Sequence, residues 1–193
     1  MGAALTPAGR ELILGGQKSG KSRRGELLAA AWLAVSPAHR AVLVATGQPL
    51  DDEMRERIAQ HRVERAARVP RLETVEEPLY LAEALLALGA PDTLVLVDCL
   101  TLWLTNLLMP PDDKLERPDP AAETATLLTA LREAQGPVVL VGNEIGLGVI
   151  PMGRDVRAFV DALGVLNQQV AAVCDRVTLM AAGLPLNLKD TAA

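Results

Sequence analysis

The chain has 193 residues, with 19 Lys and Arg against 24 Asp and Glu, a formal net charge of −5 and a pI near 5.1. That length fits one ordinary domain spanning 1–193 and is too short for two full-sized catalytic units. The acidic balance argues against a nucleic-acid binder or an anionic-membrane binder, and an aromatic content of 2% argues against rows of stacking rings.

Short apolar runs alternate with longer helical patterns, which predicts an α/β domain with a mostly parallel sheet and helices on both faces. Strands are predicted at 11–14, 41–45, 93–97, 137–141 and 176–180, and helices at 21–35, 51–68, 78–88, 121–134 and 154–173. The central strands lack polar alternation, as expected of strands covered on both faces. The proline- and charge-rich stretch 110–120 reads as an exposed loop, and the first few residues and 189–193 as fraying ends. Asp98, Asn143, Glu144 and Asp161 interrupt the apolar runs before the roughly 18 residues that a membrane span requires. No signal peptide is visible before Glu11, so the chain reads as cytoplasmic. Cys99 and Cys174 lack zinc or redox spacing and read as buried free thiols.

The strongest local signal is Gly15-Gly16-Gln17-Lys18-Ser19-Gly20-Lys21-Ser22, a complete G-x-x-x-x-G-K-[ST] between an apolar strand and a helix. Such glycines let backbone N–H groups curl around phosphates, Lys21 reaches the β- and γ-phosphates, and the Ser22 hydroxyl is placed for Mg²⁺. Asp98 ends the next strongly apolar strand. It is a candidate for holding the metal through a water or contacting the nucleotide directly, with an ordinary cap of a helix that begins near Leu100 as the plainer alternative.

Between Arg55 and Arg71 six Arg face only Glu56 and Glu64, an unusual local excess in an acidic chain. The excess fits either a solvated helix face or a phosphate-binding one. His61 stands four residues from both Arg57 and Arg65 and shares their face. From pattern alone it reads first as a helix-surface residue. Asn143 and Glu144 follow a strand and precede a glycine-rich turn, so they serve either as substrate contacts or as ordinary turn residues.

The combination resembles the bifunctional adenosylcobinamide kinase / adenosylcobinamide-phosphate guanylyltransferase family. The matching pieces run in order along nearly the whole chain: the P-loop, Ala45-Thr46-Gly47, Asp51-Asp52-Glu53-Met54, Arg57-Ile58, His61-Arg62, Thr74-Val75-Glu76, Val97-Asp98-Cys99, Asn143-Glu144 and Gly146-Leu147-Gly148-Val149-Ile150-Pro151. The resemblance implies a RecA-like P-loop domain in a homotrimer, with ATP or GTP phosphorylating adenosylcobinamide. GMP is then taken from GTP onto a histidine and passed to the new phosphate. It places the guanylylated histidine on His61, reversing the reading from pattern alone, and implies nucleotide contacts at Thr46, Gly47, Arg62, Arg65, Glu76 and Asp98 besides residues 15–22. Lys18 stands where many members carry Arg, and Gln60 where some carry a second histidine. A P-loop small-molecule kinase without guanylyl transfer and a non-enzymatic nucleotide-binding regulator are the competing readings.

Overall fold

The computed structural model describes residues 7–110 and 117–191. The elements run β1 (Arg10–Gly15), α1 (Lys21–Val35), β2 (Arg40–Ala45), α2 (Asp52–Arg68), β3 (Leu72–Glu76), α3 (Leu81–Leu88) and β4 (Thr93–Asp98). They continue through α4 (Leu100–Leu108), α5 (Pro120–Glu133), β5 (Val138–Val141), α6 (Arg154–Val173), β6 (Arg176–Ala181) and β7 (Leu184–Asp190). One sheet orders the strands β3-β2-β4-β5-β1-β6-β7. All neighbours are parallel except β7, which returns antiparallel to β6.

Alternation along each central strand divides its side chains between two cores. Leu12, Val95, Val97 and Leu140 face α3 to α6, where they meet Leu85, Trp103, Leu131 and Leu166. Ile13, Leu94, Leu96 and Val139 face α1 and meet Leu28, Ala29 and Leu33. The expected α/β architecture with helices on both faces is therefore present. β5 lies between β1 and β4, so the P-loop strand and the strand ending in Asp98 are separated by one strand.

Four boundaries differ from expectation. β3 escapes the sequence pattern because LETVE is an edge strand whose exposed residues carry no apolar signal. The helix reading at Leu100 becomes α4, which runs directly on from β4 and buries Trp103. α3 starts at Leu81, three residues after the predicted start, because the Glu77 carboxylate accepts from the N–H groups of Leu79 and Tyr80 and holds a turn before it. Lys189 and Asp190 do not fray but pair with Val177 and Arg176, and the Lys189 ammonium donates to the carbonyls of Ala171 and Ala172 at the end of α6. Of the predicted 110–120 loop, 111–116 lie outside the described residues, as do 1–6 at the start and 192–193 at the end, and Pro120 opens α5.

Both cysteines are buried and free, as expected. Burial pushes the Cys99 thiol up to about 11 and the Cys174 thiol up to about 12, which keeps both as un-ionised hydrophobes. His39 stacks on Trp32 with ring centroids 3.8 Å apart, and its Nδ1 lies 2.9 Å from the Trp32 carbonyl.

Candidate functional site

The loop 15–22 is shaped by backbone conformations that few residues tolerate. Gly15 has φ +153°, and a Cβ there would sit 2.5 Å from the Met180 carbonyl oxygen. Gly20 has φ +99° and stands at the N-terminal cap of α1 without a capping side chain, so the first amides of the helix face outward. Lys18 also adopts positive φ. The Ser19 Oγ is buried without a hydrogen-bond partner, an acceptor and donor left open over the loop. Lys21 is buried and donates from Nζ to the Gly16 carbonyl at 2.6 Å. Burial lowers its pKa, opposed by Cys99 and Asp98, while the nearby Arg57 charge lowers it further.

Two features invisible to motif matching brace this loop. Glu11, fully buried, accepts from Arg24 Nη2 at 2.9 Å and from the Thr178 hydroxyl at 3.0 Å, clamping the strand before the loop to the helix after it. A lone carboxylate in an apolar strand followed by an arginine in the next helix is its only sequence signal. The β6–β7 turn supplies the second brace, through the Gly183 N–H on the Ser19 carbonyl.

Asp98 stands at the end of β4 and is buried, which raises its pKa; the Ser22 hydroxyl donates to it, and His61, Arg65 and Lys21 draw the value back down. The candidates thus converge electrostatically: His61 and Arg65 of α2 act on the same carboxylate as Ser22 and Lys21 of the P-loop. Arg65 is itself shifted downward by burial. Arg62 pairs with Glu76 across α2 and β3, and these two with Arg65 and Thr74 line a cleft of about 330 Å³.

Thr46 is fully buried, and its hydroxyl donates to the Cys99 carbonyl at 2.7 Å while accepting from the Cys99 N–H at 2.8 Å. Asn106 donates to the Thr46 carbonyl, so Thr46 anchors the turn after Asp98 to α4. Gly47 lies against Leu102 and Ile58, where a Cβ would meet them at 3.3 and 3.9 Å. Gly16 and Gln17 are exposed at the loop's crest. After β5, the Asn143 N–H donates to the Thr101 hydroxyl and the Glu144 N–H to the Gly15 carbonyl at 3.1 Å, which places this turn beside the P-loop.

The parallel sheet, the glycine loop at the end of β1 and the acidic strand end at Asp98 define a P-loop nucleotide-binding α/β protein. The flagellar accessory protein FlaH of Methanocaldococcus jannaschii shares this fold, with a TM-score of 0.54 at 13% identity over 96% of this chain and 80% of that one.

Residues 11–188 match the family described as cobinamide kinase / cobinamide phosphate guanyltransferase, and the chain belongs to that family of bifunctional enzymes. The bifunctional adenosylcobalamin biosynthesis protein CobP of Pseudomonas aeruginosa is 49% identical over 93% of this chain and 97% of its own length. The bifunctional adenosylcobalamin biosynthesis proteins CobU of Escherichia coli and Salmonella typhimurium are each 36% identical over 92% of this chain and 98% of theirs.

Proposed function

We propose that this chain phosphorylates adenosylcobinamide with ATP or GTP and then transfers GMP to the product through His61. In the first step the hydroxyl oxygen of the aminopropanol arm attacks the γ-phosphorus, its proton is released and the nucleoside diphosphate leaves. In the second a ring nitrogen of His61 attacks the α-phosphorus of GTP, and the bond to pyrophosphate breaks. The cobinamide phosphate oxygen then displaces the imidazole, giving adenosyl-GDP-cobinamide and restoring His61.

In this reading Gly15, Gly16, Gln17, Lys18, Ser19 and Gly20 present the phosphate cradle, and the Lys21 ammonium draws charge onto the β- and γ-phosphates. Arg65 offsets charge developing at the α-phosphate, while Arg62 and Glu76 bound the cleft for the nucleoside end. Thr46 and Gly47 form the floor of the nucleotide site. Ser22 and Asp98 are a hard oxygen pair suited to Mg²⁺, and a buried carboxylate whose charged form is disfavoured gains from a cation; phosphate oxygens would complete the shell. Bound there, the ion would neutralise phosphate charge. We further read the enzyme as a single cytoplasmic domain acting as a homo-oligomer, a trimer by family resemblance. The exposed Leu184, Leu186 and Leu188 on edge strand β7 support a subunit contact. No helix among the described residues is long and apolar enough to cross a membrane.

What supports the reading is that His61 is exposed on α2, the helix that the Arg68–Glu26 pair ties to the P-loop helix α1, in a chain whose residues 11–188 match the family. Incubation with GTP labelled at the α-phosphate is expected to leave acid-labile, alkali-stable label on the wild type and none on His61→Ala. Unlabelled but folded wild-type protein would leave the simple kinase or the nucleotide-binding regulator.

A further inference from the structure

We propose that the groove between the 145–151 loop and α6 is the acceptor subsite, taking the apolar corrin face and carboxamide arms of the cobinamide substrate; this rests on the function proposed above. The groove encloses about 560 Å³, with Val149 and Ile150 of the loop facing Val160 and Val165 of α6 and with Asp161 and Gln168 at polar positions along it. That volume falls within the range of small-molecule sites, about 300–1,000 Å³.

Its placement suits an acceptor. The loop leaves β5 at Glu144, whose N–H bonds the Gly15 carbonyl, and the Asn167 side chain of α6 donates to the Asn143 carbonyl at 3.1 Å. The groove therefore opens from the edge of the phosphate cradle. The Arg62–Glu76 cleft lies beside β3 at one end of the strand order, whereas α6 packs on β1, beyond β2, β4 and β5 in that order. With the nucleoside on the β3 side and phosphates between β1 and β4, an acceptor entering from the α6 side approaches the phosphates from the far side of the nucleoside. Displacement in line needs that arrangement.

Its surface suits the same ligand. Val149 and Ile150 on its wall are 95% and 78% exposed, with Leu147 and Met152 exposed beside it in the same segment, a concentration of aliphatic surface that water disfavours. A corrin presents a broad apolar face ringed by neutral carboxamides, so it requires aliphatic walls with a few hydrogen-bonding groups, which Gln168 and Asp161 provide. Gly164 adds an independent indication. It occupies the interior of α6, where glycine is among the poorest helix formers, yet a Cβ there would meet nothing within 4 Å. Its smallness is not required by the chain's own packing. It keeps the groove open.

The test is Gly164→Leu, which places a side chain in the groove without disturbing the helix backbone. Binding of cobinamide, followed by the visible absorbance of the corrin, is expected to weaken at least tenfold, and the KM for adenosylcobinamide to rise in step. Labelling of His61 by GTP and the mass by light scattering should stay unchanged. Gln168→Ala, at an exposed position, should weaken cobinamide binding about three- to fivefold without any steric contribution. Wild-type binding that survives both variants overturns the subsite alone. A Gly164→Leu protein whose mass changes assigns the groove to a contact between copies and also overturns it. Failure of the wild type to bind cobinamide overturns the functional reading with it.

Discussion

The P-loop with α1 and the helix α2 are neighbours, tied by the Arg68–Glu26 pair, but are held by different forces. α1 buries Lys21, Gly25, Glu26, Leu28, Ala29 and Leu33, and its loop is braced by the buried Glu11. α2 buries none of its 17 residues among those described. It is tied down by Ile58 near Gly47, by the Arg62–Glu76 pair and by an Arg68 pair with the buried Glu26. Burial fixes the cradle, while polar ties, individually weak at a surface, fix the helix that carries His61. On the proposed function, a firmly held cradle and a loosely held α2 would let His61 move relative to the phosphates without opening the core.

The contrast breaks most severely if the cradle is not rigid. Gly15→Ala sets a Cβ against the Met180 carbonyl oxygen in a backbone conformation unsuited to L side chains, and should cost about 3 kcal/mol and abolish nucleotide binding. Chemical denaturation and nucleotide titration measure both. A variant that still binds nucleotide normally would show that the loop adapts as freely as α2.

Where the two regions meet, Asp98 offers a test with a pH signature. Its folded pKa is raised, mainly by burial, above an ordinary value of 3.8. Below that value folded and unfolded chains both hold the proton, so the group costs nothing. As pH rises through the folded value, the folded state binds more protons than the unfolded one and stability falls. Asp98→Asn should therefore lose at least a hundredfold in activity yet melt about 3 °C higher at pH 7, an advantage that disappears near pH 4. A thermal melt that falls at neutral pH would mean that its interactions with Lys21 and α2 outweigh burial.

The smallest effect compares two similar caps. Asp51 accepts from the Met54 N–H at 2.7 Å at the start of α2, and Asp119 from the Ala122 N–H at 2.9 Å at the start of α5. Asp119→Ala should lower global stability by about 1 kcal/mol, because α5 buries Leu127 and Leu131. Asp51→Ala should hardly move the melting temperature, but should speed hydrogen exchange of α2 amides about fivefold. Equal global losses would mean that α2 is as integral to the core as α5.

The buried strands and the P-loop were legible in the sequence because apolar runs and glycines at fixed spacing are dictated locally. β3 and β7 were not, since exposed edge strands carry little periodic signal and are specified by the neighbours they pair with. The spacing of Arg57, His61 and Arg65 placed them on one helix face, but not the direction of that face; the contacts of Ile58 and the pairs made by Arg62 and Arg68 supply it. Thr46 illustrates the converse. A residue expected from family resemblance at the nucleotide also has a structural task, because its hydroxyl is engaged on both sides by the Cys99 backbone.

The stack of His39 on Trp32 gives the two imidazoles of this chain different magnetic surroundings. An indole ring current acting at 3.8 Å moves the His39 carbon-bound protons upfield, away from those of His61, which lacks such a partner among the described residues. In a proton spectrum His61 is thus distinguishable without an assignment variant, and its line shape reports whether nucleotide changes its surroundings.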